Sequence, residues 1–168
     1  MTRDSQRSRV YDAEQLVRTM LDRADERELR EITLHGSTLT LPVERRFASV
    51  ESVQAYADAV LALRWVRATW PTSAAPVRVR SRAGTAAAHY DSADATIAIP
   101  LHRGGTAWAL REMVVLHEIA HHLAPDHSEP AHGAGFVERY LALVTEIIGP
   151  EAGFALRSAM QSCSVVMT

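Results

Sequence analysis

The sequence predicts an α+β domain: one histidine-bearing helix in the core, a small antiparallel or mixed sheet packed on it, and additional helices around both. Three observations carry this expectation. The stretch "MVVLHEIAHHL" at 113–123 is apolar on nearly all sides apart from its histidines and Glu118, so a helix there must run through the interior. Three short runs upstream, "VRVR", "AAAHY" and "TIAIP", are rich in strand formers and separated by turn residues. Most other apolar residues recur at helical spacing. At 168 residues the chain suits a single core, so one domain is expected over 10–168 behind a frayed tail at 1–9.

In chain order, Ala13, Val17, Met20, Leu21 and Ala24 mark an amphipathic helix from Val10 to about Glu28. The period then changes to two: Ile32 and Leu34, a break at Gly36, then Leu39 and Leu41, which predicts a short strand or hairpin. Ser49 is placed to cap a second helix carrying Val50, Val53, Tyr56, Ala57, Val60, Leu61 and Leu63. Pro71 and Pro76 bracket a turn-rich linker. The three strand candidates follow at 77–80, 86–90 and 96–100; the turn "DSAD" joins the last two, and an antiparallel meander is expected. Gly104 and Gly105 end it, and Thr106 can cap the core helix from Ala107 to about Leu123. Pro125 and Pro130 enforce an irregular loop. A further helix from about Ala134 places Phe136, Tyr140, Val144 and Ile147 on one stripe, Gly149 and Pro150 stop it, and "EAGFALRSAM" forms a last short helix.

Composition narrows the function. With 47% hydrophobic and 23% charged residues the chain is an ordinary globular protein. All 18 basic residues are Arg, which excludes a lysine Schiff base or a lysine general base. A net charge of −2 gives little attraction to phosphate backbones, so no nucleic-acid partner is expected; the arginines of "VRVRSR" read as a solvated strand face. Cys163 is the single cysteine, so neither an internal disulfide nor a CxxC site can form. No run of 18 apolar residues and no apolar segment behind the N-terminus is present, and a cytoplasmic protein without a membrane segment is expected.

Five of the eight histidines fall in "HEIAHHLAPDHSEPAHGAGF" at 117–136. His117 and His121 are one helical turn apart, which brings their Cβ atoms to about 5–6 Å and lets both imidazoles reach one Zn²⁺ at about 2.0–2.1 Å. Glu118 is rotated about 100° from His117, so its carboxylate can flank the ion without occupying a ligand position. That geometry suits a general base acting on a zinc-bound water, with hydrolysis of an amide or ester as the outcome. On a core helix, two imidazoles and a carboxylate would be costly to bury without a ligand or partners.

Three histidines compete for the third position. His122 points about 100° away from His121 and reads as a supporting or helix-end residue, favoured by the C-terminal dipole. His127 completes H-E-x-x-H-x-x-A-x-x-H, which resembles the metzincin peptidases, except that Ala124 stands where that family has a glycine. The same histidines, with "LAPDH", resemble the YbeY-type RNA endonucleases, whose pattern does not call for Glu118. His132 opens "HGAGF", and an H-E-x-x-H helix followed by H-G-x-x-F resembles the SprT-like compact zinc peptidases. The fuller pattern over about 32–158 is similar to a family of actinobacterial zincin-type metallohydrolases without an assigned substrate. The resemblance implies a zincin-like fold with His117, His121 and His132 on one Zn²⁺, Gly133 allowing close backbone approach and Phe136 anchoring the next helix. His127 remains the alternative ligand, and Asp126 and Glu129 are the carboxylates considered for orienting a ligand imidazole.

His89, Tyr90, Arg103 and Tyr140 are candidate donors to a developing oxyanion; only one of His89 and Tyr90 can face the site, because strand neighbours alternate. "TIAIP" is expected at the rim, where an extended substrate would add as a strand. Trp65, Trp70 and Trp108 read as packing residues and Cys163 as an incidental thiol. The expectation is a zinc-dependent hydrolase, a metallopeptidase acting on a peptide or protein substrate through water activated by Glu118. The alternatives are a metal-dependent endoribonuclease using His117, His121 and His127, and a non-catalytic zinc-stabilised binding module.

Overall fold

A computed structural model describes residues 3–84, 87–101 and 109–168. Among these are six α-helices, a two-stranded antiparallel sheet and a three-stranded mixed sheet, an α+β fold. The residues up to Glu44 together with Ser128–Thr168 make one compact unit, and Arg45–His127 makes a second.

In the first unit, α1 (Arg7–Arg27) begins one turn earlier than its apolar stripe announces, because Arg7, Ser8 and Arg9 continue the helix on its exposed side. It buries Val10, Ala13, Val17 and Leu21, and ends where Glu28 takes a left-handed conformation. The hairpin β1 (Glu31–Leu34) and β2 (Ser37–Thr40) pairs Leu34 with Ser37 around a two-residue turn. His35 and Gly36 both have positive φ there, 47° and 79°, the turn hand that matches strand twist and that glycine adopts without strain. Helix α5 (Ala134–Leu143) runs into a π-helical turn, Val144–Ile148, and after Gly149 comes α6 (Pro150–Ser162), which opens on Pro150 as a first-turn proline should. Phe136, Tyr140, Leu143, Leu156 and Met160 are fully buried in this unit.

Near the start of the second unit the Phe47 amide donates to the carbonyl of Leu110. Ser49 caps α2 (Val50–Ala62): its hydroxyl accepts from the Ser52 amide while Ser52 reaches back to the Ser49 amide, a reciprocal capping box. After α3 (Arg64–Thr69) and a 3₁₀ turn at Pro71–Ala74 come β3 (Arg78–Arg82), β4 (His89–Asp91) and β5 (Thr96–Pro100). These do not form the expected meander. The spatial order is β3-β5-β4, with β3 parallel and β4 antiparallel to β5. "TIAIP" is therefore the central strand, not the rim, and all five of its residues are buried. The reason is in its composition: a run with no polar alternation beyond Thr96 suits a strand covered on both faces, whereas Arg78, Arg80 and Arg82 suit an edge.

Helix α4 spans Glu112–His122. Arg103, Gly104, Gly105, Thr106, Ala107 and Trp108 lie outside the described residues, but Arg111 is extended at the N-cap of α4, so the helix begins at Glu112 and not at Ala107 behind a Thr106 cap. As expected of a core helix, every residue from Glu112 to Ala120 is buried.

Candidate metal centre

The start of α4 is held by Glu112, a residue that the sequence did not single out. Its carboxylate is fully buried and accepts from the Arg45 amide at 2.9 Å, the Arg45 guanidinium at 2.9 Å and the Tyr56 hydroxyl at 2.8 Å. Arg46 bridges Arg111 in antiparallel fashion beside these bonds. The hydrogen bond and charge of Glu112 raise the Arg45 guanidinium above its ordinary range. An acid in the first turn also meets the positive end of the helix dipole. Glu112 thus ties the N-terminal end of the histidine helix to the chain segment before α2.

One turn further along, His117 and Glu118 are buried and His121 is partly exposed. The rings of His117 and His121 sit edge to face with centroids 5.1 Å apart, the spacing expected of an i, i+4 pair. The Tyr90 ring lies parallel to that of His121 at 6.4 Å. The Tyr90 hydroxyl is 3.0 Å from His122 Nδ1, and His122 Nε2 is 2.8 Å from the Ala75 carbonyl. A carbonyl can only accept, so Nε2 carries the proton and Nδ1 accepts from Tyr90. Burial pushes His122 below the usual imidazole range, outweighing the Ala75 bond that raises it. Burial likewise raises the Tyr90 phenol, with Asp91 and Asp94 adding to the effect, so Tyr90 stays a donor. The position of His122 is explained by its two hydrogen bonds, to the Tyr90 hydroxyl and the Ala75 carbonyl.

His132 lies two residues before α5. It is buried, and its ring meets Tyr11 at 5.5 Å and Phe136 at 4.9 Å between centroids. Phe136 thus anchors the imidazole as well as the helix. Gly133 sits at the N-cap of α5 with φ −73°, an ordinary value; a Cβ there would come within 3.2 Å of the Pro130 carbonyl, a tight contact against the turn. The Asp4 carboxylate lies 2.7 Å from His132 Nδ1, and the Gln6 amide donates to the His132 carbonyl at 2.8 Å. Of the two carboxylates the sequence suggested for such a role, Glu129 is paired with Arg139 and Asp126 is exposed.

His117, His121 and His132 form a group that could hold one metal ion. His127 is outside it: it is exposed, and its ring approaches Tyr90 at 6.2 Å. Ala124, where the metzincin pattern needs glycine, is buried and has no positive φ, so the chain does not make that family's turn.

The candidate oxyanion donors separate clearly. Tyr90 is half-buried against His121 and His122, while His89 is exposed. Tyr140 is a core residue: it is completely buried, its hydroxyl bonds Glu14, and burial raises it well above the usual phenol range. Arg103 lies outside the described residues. Trp65 and Trp70 pack edge to face on each other at 5.7 Å, in keeping with a packing role. Cys163 is half-buried at the end of α6, and burial raises its thiol above the usual range. No helix among the described residues is long and apolar enough to cross a membrane. Comparison with protein-family models, with curated proteins and with solved structures finds no match to this chain.

Proposed function

We propose that the protein is a zincin-type metal-dependent hydrolase, with His117, His121 and His132 holding one Zn²⁺ and Glu118 acting as general base on a peptide or protein substrate. The observation that carries this reading is the three-histidine group itself, two members of which share a buried helix with a buried carboxylate between them. The donor set fits the ion. Three imidazoles without a thiolate leave a zinc coordination position open, which is the pattern of catalytic rather than structural zinc. The same nitrogens would accept cobalt, nickel or iron, so metal analysis of the purified protein decides the element.

When bound, the ion supplies Lewis acidity to the attacking water and the scissile carbonyl. The chain supplies the rest. Glu118 takes the proton of the attacking water and returns it to the departing amine as the C–N bond breaks, so water is consumed and no other reactant is needed. Tyr90 lies beside His121 and bonds His122, and Glu112 fixes where the helix begins. A single cysteine fits a reducing, cytoplasmic setting.

Glu118→Gln is expected to keep one metal per chain and to lower peptide or ester hydrolysis by roughly 10²–10⁴-fold. Unchanged turnover would remove Glu118 from the mechanism. Metal retained while no hydrolysis is found in either protein would leave the binding-module reading. The endoribonuclease reading requires His127→Ala, and not His132→Ala, to release the metal; no observation favours it.

A further inference from the structure

The reading above leaves unexplained why a histidine so far along the chain is contacted by its first residues. Asp4 and His132 are separated by 128 positions, yet Asp4 Oδ2 lies 2.7 Å from His132 Nδ1. The other oxygen, Asp4 Oδ1, is buried with no hydrogen-bond partner among the described residues. A carboxylate placed this way is costly unless its charge serves the one donor it meets. Gln6 clamps the neighbouring backbone: its amide donates to the His132 carbonyl, and its side-chain oxygen accepts from the Val166 amide at 2.9 Å. Arg9 adds a more distant tether, its guanidinium donating to the Ser164 carbonyl at 3.2 Å.

We infer that Asp4 is the positioning residue for the third metal ligand: its carboxylate accepts the Nδ1 proton of His132 and so presents Nε2 as the nitrogen that takes the ion. An ionised carboxylate can only accept, so the proton must reside on Nδ1 and the lone pair of the neutral ring on Nε2. The same bond fixes the ring's rotation and makes the imidazole a stronger donor to the metal. Ring contacts with Tyr11 and Phe136 orient the imidazole but do not choose its tautomer. This inference rests on His132 being a ligand.

The test measures Zn²⁺ affinity by competition with a chromophoric chelator, and the d–d spectrum of the Co²⁺-loaded protein, in the full chain and its His132→Ala, Asp4→Ala, Asp4→Asn and Arg9→Ala variants. Asp4→Ala is expected to weaken Zn²⁺ binding by about 10–100-fold and Asp4→Asn by less, with Co²⁺ bands shifted in both. Arg9→Ala, which loosens the tether without touching the ring, is expected to leave affinity and spectrum as they were. Wild-type affinity and spectrum in Asp4→Ala overturn the inference, as does an equal loss in Arg9→Ala, which would make the segment a mere anchor. If Asp4→Ala does not fold, Asp4→Asn decides alone: an unchanged Co²⁺ spectrum and affinity overturn the inference. Failure of the underlying site is seen separately. If His132→Ala binds metal as the parent does, the three-histidine reading falls and this inference falls with it; if His132→Ala loses metal while the Asp4 variants do not, only the inference falls.

Discussion

Tyr90 shows how one hydroxyl can support two neighbours. Its ring covers His121 and its proton goes to His122, whose other nitrogen is spent on Ala75. Tyr90→Phe keeps the ring but leaves a buried imidazole nitrogen without its donor, at a cost of about 1–3 kcal/mol. Urea unfolding measures this; a loss well under 0.5 kcal/mol, on the order of ordinary surface substitutions, would mean that His122 finds another donor. Strand alternation allowed only one of His89 and Tyr90 to face the site but did not choose between them. The bond of Tyr90 to His122 was not legible, because it joins positions 32 apart. Asp4 was less legible still: a polar residue in a polar N-terminal stretch carries no periodicity, and only chain folding brings it to His132. Glu112 gave no signal, because the helix was expected to begin at Ala107, and its partners Arg45 and Tyr56 lie far upstream.

Among the elements, local signals were sufficient where the physics is local. The Ser49 cap, the His35-Gly36 turn and the proline at the start of α6 each follow from residues a few positions apart. Strand order did not. β5 pairs with β4 through the "DSAD" turn, where the Asp91 carboxylate accepts from the Ala93 amide at 2.9 Å, but it also accepts β3 on its other edge. Adjacency between β3 and β5 is a long-range choice, made by the burial of "TIAIP". The contact of α6 with the π-helical turn is between consecutive elements, yet its closeness depends on how they pack. A Cβ on Gly153 would lie 2.0 Å from the Thr145 hydroxyl oxygen and 3.0 Å from its Cα. In an open helix Gly→Ala gains about 1 kcal/mol; here the overlap outweighs it, and Gly153→Ala should destabilise by about 1–3 kcal/mol. Adding Thr145→Ala removes the closest overlap and should recover part of the loss in thermal or urea unfolding. Additive losses would show that the two positions do not meet.

At the scale of the molecule, the proposed site would link metal binding to folding, because three neutral imidazoles are useful together only in the folded chain. Zn²⁺ at a hundred times its dissociation constant adds about 2.7 kcal/mol to the folded state, and for a chain of this size that raises Tm by roughly 5–10 °C. Excess chelator should reverse the shift, and His117→Ala should abolish it. An equal shift in His117→Ala would place the responsible ion elsewhere.

The helix that bears His117, Glu118 and His121, and the i, i+4 spacing that pairs its two imidazoles, were decided by the sequence alone, since 3.6 residues per turn is a local property of the backbone. His127 and His132 differ in burial: one lies on the exposed loop after α4, the other is enclosed by Tyr11, Phe136 and Asp4. Enclosure depends on which distant segments the chain brings back, and no spacing rule encodes that. The tertiary structure therefore decided which distant side chains enclose His132, its pairing with the Asp4 carboxylate and the order of the strands.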